Sequence, residues 1–188
     1  LLPFVEYDPR PRYDAGKGYG GGGMPFRGDA LGSELGDNQV EVTARMALAY
    51  AAGIGDDGPD MLDDAAPAGI VAPPPFCVSL EWPVVIGGRN RDRIGLRPEE
   101  SRRSVHASQD SVFHRPVRPG DRLRTSGQIV EVRRTRAGTF TMTKLSTVDA
   151  ATGEPVVTSW SGGMYRGIEL DGVPGRIESG PVPPAFAE

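Results

Sequence analysis

The chain is expected to fold as an α+β domain, an antiparallel sheet wrapped around a central helix, and three observations carry that expectation. Helix-period patterning is confined to the first half, whereas from Val105 onward apolar and polar residues alternate at strand period. The stretch Val71 to Trp82 opens on the prolines Pro73, Pro74 and Pro75 and is then apolar on nearly all sides, as a buried helix is. Turn chemistry divides the later strands: Arg118-Pro119-Gly120-Asp121, Thr135-Arg136-Ala137-Gly138 and Asp149-Ala150-Ala151-Thr152-Gly153 read as links between antiparallel neighbours. Helices followed by a run of strands place the helices on one side of an antiparallel sheet.

Residues 1–34 hold no sustained period and are dense in Pro, Gly and aromatics, among them Phe4, Tyr7, Tyr13, Tyr19 and Phe26. This reads as an arm, suited either to packing on a neighbouring surface or to plain flexibility, since disordered tails are poorer in aromatics. Gly16-Lys17-Gly18 lacks the full phosphate-loop spacing and a preceding strand, which sets nucleotide hydrolysis aside. From Gln39 a short alternating run leads to Thr43, a good N-cap. Met46, Tyr50 and Ile54 then fall one helical turn apart, and Gly53 is a natural terminator. This helix delivers the chain to the loop Gly55-Asp56-Asp57-Gly58-Pro59-Asp60-Met61. In the central helix, Pro83 removes a backbone bond, so the helix is expected to end early or kink near Trp82.

Residues 87–103 form a Gly- and Arg-rich loop that includes Arg89, Arg91 and Arg93. Strands are then expected over Val105 to Val112, Arg122 to Val132, Thr139 to Val148 and Val156 to Tyr165. The tail from about Ile168, with Pro174, Pro181, Pro183 and Pro184, has little to bury. The resulting division is an arm at 1–34, one domain at 35–168 and a Pro-rich tail at 169–188. A buried helix wrapped by such a sheet is the hotdog arrangement.

Composition narrows the function. A chain of 188 residues with 38% hydrophobic content supports one ordinary core. A formal net charge of −4 argues against a general nucleic-acid binder, which needs a basic face. The lone Cys77 forms no intrachain disulfide, and no charged start followed by an apolar run opens the chain, so a cytoplasmic rather than a secretory protein is expected. No window approaches the run of about 20 apolar residues a membrane helix needs. No Cys/His cluster has metal-ligand spacing, so no metal is expected.

The order of motifs resembles the MaoC-like (R)-specific enoyl-CoA hydratase and dehydratase family, in particular the non-catalytic N-terminal hotdog unit of its two-hotdog members. The residues that carry the resemblance are Val42-Thr43 to Asp56, Val71-Ala72-Pro73-Pro74-Pro75-Phe76, His114-Arg115-Pro116 with Arg118-Pro119-Gly120-Asp121, and the strand around Ser159-Trp160. It implies a single hotdog whose acyl tunnel lies at a dimer interface and whose substrate is a coenzyme A or acyl-carrier-protein thioester, with no other cofactor. Catalytic members hold a water with an Asp and, five positions on, a His. Here Asp56 matches the Asp and Pro59 the loop proline, but Gly58 stands where Asn is usual and Met61 where the His belongs.

A thioether neither gives nor takes a proton, and general acid–base catalysis is worth typically about 10²–10⁴-fold. The expected chain is therefore a hydro-lyase subunit, inactive alone, with no catalytic residue of its own and Asp56 as a remnant. Its partner is a second hotdog with an intact Asp/His loop, in a heterodimer or a dimer of heterodimers. Pro75, Phe76, Arg89, Arg91 and Arg93 are the expected substrate-binding residues, the arginines through the carrier's phosphates or acidic face. Two alternatives stand beside this: an acyl-thioester-binding protein without turnover, and a homodimeric hotdog hydratase or thioesterase using Asp56. His106 and His114 read as satisfied sheet histidines, Asp56 as ordinary turn chemistry and Cys77 as a small buried apolar residue.

Overall fold

The computed structural model describes residues 25–58, 69–87 and 94–181. Its centre is helix α2 (Cys77–Val85), entered through a 3-10 turn at Pro74–Phe76. Around it wraps an antiparallel sheet of β2 (Glu34–Glu41), β3 (Ser104–Phe113), β4 (Arg122–Thr135), β5 (Gly138–Asp149) and β6 (Pro155–Arg166), in the order β2-β4-β5-β6-β3. Short strands β1 (Phe26–Arg27) and β7 (Leu170–Asp171) pair in parallel, and β8 (Gly175–Arg176) pairs with β4. Helix α1 (Ala44–Ile54) precedes α2, and the short α3 (Pro98–Ser101) precedes β3.

The strands form where alternation places apolar or small residues inward. In β4, Leu123, Thr125, Gly127 and Ile129 face the helix while Arg122 and Arg124 face solvent. Gly127 lets the helix lie close on the sheet, because a Cβ there would stand 2.9 Å from Val84 Cγ1 and 3.2 Å from Leu145 Cδ2. The helix joins two apolar clusters. Phe76, Cys77 and Leu80 pack with Val42, Ala47, Leu123 and Val156, and Val84 packs with Phe26, Leu35, Ile129, Leu145 and Leu170.

Several expectations are corrected in detail. Helix α1 passes Gly53 and ends at Ile54, because Gly55 takes the left-handed φ of 70° that closes it. Helix α2 runs through Pro83 to Val85 rather than ending early. Near a helix end the proline forfeits one backbone bond, while the Ile86 N–H still reaches the Trp82 carbonyl at 3.0 Å. The Arg118-to-Asp121 turn does not join neighbouring strands: β3 lies beside β6, and the turn instead bonds to Val42, with Gly120 N–H donating to its carbonyl at 2.8 Å.

Packed segments also fall on both sides of the 35–168 boundary. Phe26, fully buried, stacks at a tilt on Tyr165 with centroids 5.0 Å apart. Beyond Ile168, Leu170 is buried in the same cluster, and the Ile177 N–H donates to the Val130 carbonyl at 2.9 Å. The start of the tail thus has a core to join. The other arm aromatics and Pro183 and Pro184 lie outside the described residues.

Candidate functional site

Helix α1 positions the loop that begins at Asp56. Thr43 caps its start by accepting the Met46 N–H at 3.2 Å, and Gly55 lets the Asp56 N–H return to the Ala51 carbonyl at 2.9 Å. The Asp56 carboxylate, half-buried, accepts the Gly58 N–H at 3.2 Å. That is an Asx turn, in which one oxygen of the carboxylate sets loop shape. Met61, Arg89, Arg91 and Arg93 lie outside the described residues.

Of the two expected pocket residues, Pro75 is exposed and Phe76 is buried. The Tyr50 hydroxyl donates to the Pro75 carbonyl at 2.7 Å, and its ring meets Phe76 edge-on at 5.6 Å between centroids. These contacts clamp α1 onto the entrance of α2, with Phe76 in the core of the single chain. Cavities of about 490 and 370 Å³ open elsewhere, one over the outward side chains Asp37, Arg124, Gln128 and Lys144, the other beside the β4–β5 turn. Neither is lined by Asp56, Pro75 or Phe76.

The remaining motif residues prove to be structural ties. Arg115 Nη1 donates to Asp121 Oδ2 at 2.8 Å, and the same oxygen accepts the Arg118 N–H at 2.8 Å. His114 Nε2 lies 3.0 Å from Thr158 Oγ1, and His106 is exposed on β3.

Sequence reasoning missed a buried polar cluster on α2. Glu81, 3% exposed, accepts Ser159 Oγ at 2.5 Å on one carboxyl oxygen and Gln109 Nε2 at 3.1 Å on the other. The Ser111 and Ser159 hydroxyls bond at 2.9 Å, Gln109 Nε2 lies 3.4 Å from Ser111 Oγ, and the buried Cys77 sits one turn before Glu81. Burial pushes the Glu81 carboxyl above its usual range, and the bonds from Ser159 and Gln109 offset part of that; among the described residues no cation contributes. Burial first and the Glu81 charge second push the Cys77 thiol up to about 12, so it stays protonated and is a poor nucleophile. The signal was available, because Glu81 is the lone charged residue between Val71 and Val85, and a charge in an apolar helix needs a reason.

This architecture is the hotdog of MaoC-like hydratases and dehydratases. It is similar to a MaoC-like dehydratase from Phytophthora capsici (TM-score 0.64, 20% identity, covering 81% of this chain and 53% of that one). It is also similar to the C-terminally truncated HadBC (3R-hydroxyacyl-ACP dehydratase) complex from Mycobacterium tuberculosis (TM-score 0.61, 20% identity, covering 71% and 96%). Residues 29–159 match the model of the FAS1-like, dehydratase domain region, and the chain belongs to that family. A UPF0336 protein of Saccharopolyspora erythraea is 31% identical over 154 residues, covering 79% of this chain and 96% of its own length.

Proposed function

We propose that this chain is the non-catalytic hotdog subunit of an enoyl-thioester hydratase or dehydratase acting on a coenzyme A or acyl-carrier-protein thioester. A second hotdog chain brings the Asp/His pair that holds and activates water, since Met61 occupies the His position here. One observation carries the reading. Val78, Trp82 and, at the C-cap, Ile86, which are 40, 51 and 51% exposed, follow one another at helical spacing along α2, the helix that Glu81 ties to Gln109 of β3. Among the described residues, the outer edge of β3 pairs with no strand, and its Val105, Val112 and Phe113 are exposed as well.

An open strand edge next to an apolar helix stripe is a surface that calls for a second chain. The similarity to HadBC, itself a complex, supports this reading. In the assembled enzyme, the exposed Pro75 forms part of the tunnel wall with the buried Phe76 backing it from the core, and Arg89, Arg91 and Arg93 meet the carrier's phosphates. The test is coexpression with a hotdog protein that carries an intact Asp-to-His loop. The pair should copurify and hydrate a 2-enoyl-CoA, with the isolated chain inactive. Full activity of the isolated chain, or no complex, would overturn the reading.

A further inference from the structure

The buried carboxyl of Glu81 has no part in that division of labour, yet it sits directly behind the face on which the division depends. On α2, Glu81 is sealed inside while its neighbour Trp82 is half exposed. Glu81 is bonded to Gln109 of the edge strand β3 and, through Ser159, to Ser111 of the same strand. Ser159 is fully buried, but Gln109 and Ser111 are only half-buried, so solvent reaches the cluster through the open edge. Among the described residues the groups facing the carboxyl are Cys77 from α2, Gln109 and Ser111 from β3 and Ser159 from β6, and none of these is cationic. From β2, Asn38 donates to the Leu80 carbonyl and adds no charge. The titratable groups on or just past β3 are Asp110, His106 and His114.

We propose that docking of the partner hotdog on this face takes up a proton at Glu81, so that subunit pairing tightens as pH falls. The inference rests on the subunit reading above. A second chain laid over Trp82 and β3 removes Gln109 and Ser111 from water, and with them the solvent that eases a carboxylate with no cation beside it among the described residues. The proton comes from solvent and binds the carboxyl oxygen facing Ser159. Glu81 then donates to the Ser159 hydroxyl, which turns to donate to Ser111, while Gln109 keeps donating to the other oxygen. No heavy atom has to move, because the Ser111–Ser159 bond can run in either direction. A complex that binds more protons than its separated chains is favoured at lower pH. An imidazole covered by the partner would show the opposite sign, losing its proton on burial and weakening the pair in acid.

Calorimetric titration of the two purified subunits, run across mildly acid to mildly alkaline pH and in buffers of different ionisation enthalpy, reads this directly. The expected result is uptake of up to one proton per complex and a dissociation constant that falls by roughly three- to tenfold toward acid pH. Glu81→Gln should keep the complex while abolishing both the uptake and the pH slope. Pairing without proton uptake, or uptake that persists in Glu81→Gln, overturns the proposal. Should that variant not fold, absence of uptake by the wild type overturns the proposal, and Asp110→Asn, which should leave the uptake intact, separates Glu81 from the carboxyl on β3. A chain that pairs with no hotdog partner overturns the subunit reading and this inference together, whereas a complex indifferent to pH overturns only the inference.

Discussion

Glu81 and Ser159 are joined at 2.5 Å across the gap between the central helix and β6, a bond between residues 78 positions apart. It ties helix to sheet through a carboxyl rather than through apolar packing, and with no neighbouring cation among the described residues. A buried hydrogen bond of this kind adds little net stability when made, but leaves costly orphans when one partner is removed.

The first prediction concerns that asymmetry. Glu81→Ala removes one acceptor from the Ser159 hydroxyl and one from the Gln109 amide, leaving both with Ser111, and should cost about 1–3 kcal/mol. Glu81→Gln retains a side chain that can bond to both. Because burial raises the folded-state value of this carboxyl above its unfolded one, the native protein holds the proton more tightly. The contribution to stability is therefore fully present below the ordinary carboxyl range and is lost as pH rises through the raised value. Denaturant unfolding at a series of pH values should show this decline in the wild type and its removal in Glu81→Gln. A wild-type slope of the opposite sign at this site would refute the assignment.

How far the sequence foretold this arrangement depends on the range of the forces involved. β3, β4, β5 and β6 were legible because alternation is a local property, and so was the Thr43 cap, where residue type and position suffice. The place of β3 beside β6 was not, since the Arg118-to-Asp121 turn looks the same whether it closes a hairpin or anchors to Val42. Glu81 stood in plain view, but its partners Gln109 and Ser159 come from strands distant in sequence, and no local pattern links them. The burial of Phe26 and Leu170 was hidden because each lies in a Gly- and Pro-rich stretch, where a single apolar residue gives no period.

Thr43→Ala should destabilise the protein by about 0.5–2 kcal/mol, because the Met46 N–H loses its side-chain acceptor at the first turn of α1 and keeps only the Thr43 carbonyl at 3.1 Å. Thr43→Ser keeps the hydroxyl and should be nearly silent. Thermal unfolding monitored by circular dichroism distinguishes the two. Equal losses in both variants would mean that the methyl group, and not the cap, matters here.

Gly127→Ala should cost about 1–3 kcal/mol through overpacking, since the added methyl lands against Val84 and Leu145 at the point where α2 crosses β4. Pairing it with Val84→Ala makes room and should recover part of the loss. A double-mutant cycle in denaturant is the measurement, and strict additivity would show that the helix does not press on this strand.

Asp56→Asn should leave the hydratase activity of the assembled pair within about twofold of wild type. The amide oxygen can still accept the Gly58 N–H and preserve the turn. Replacing the partner's loop histidine should instead lower kcat by about 10²–10⁴-fold. A large loss from Asp56→Asn would return a catalytic role to this chain and favour the homodimeric alternative.

Trp82→Ala separates a docking face from ordinary exposed apolar surface. Trp82 is half exposed in the single chain, between Val78 and Ile86 on the α2 stripe, so its removal should change the stability of the isolated chain by no more than about 0.5 kcal/mol. In the complex it becomes a central aromatic anchor, and such anchors are worth about 2 kcal/mol or more, so affinity for the partner should fall roughly 30-fold. Val173, 82% exposed between β7 and β8, provides the control: it is more exposed than Trp82 but lies on a segment with no such stripe, and Val173→Ala should leave affinity unchanged. Titration calorimetry on both variants reads the contrast. If Val173 mattered and Trp82 did not, the partner would sit on the C-terminal strands rather than on α2 and β3, and the proton linkage at Glu81 would lose its structural basis.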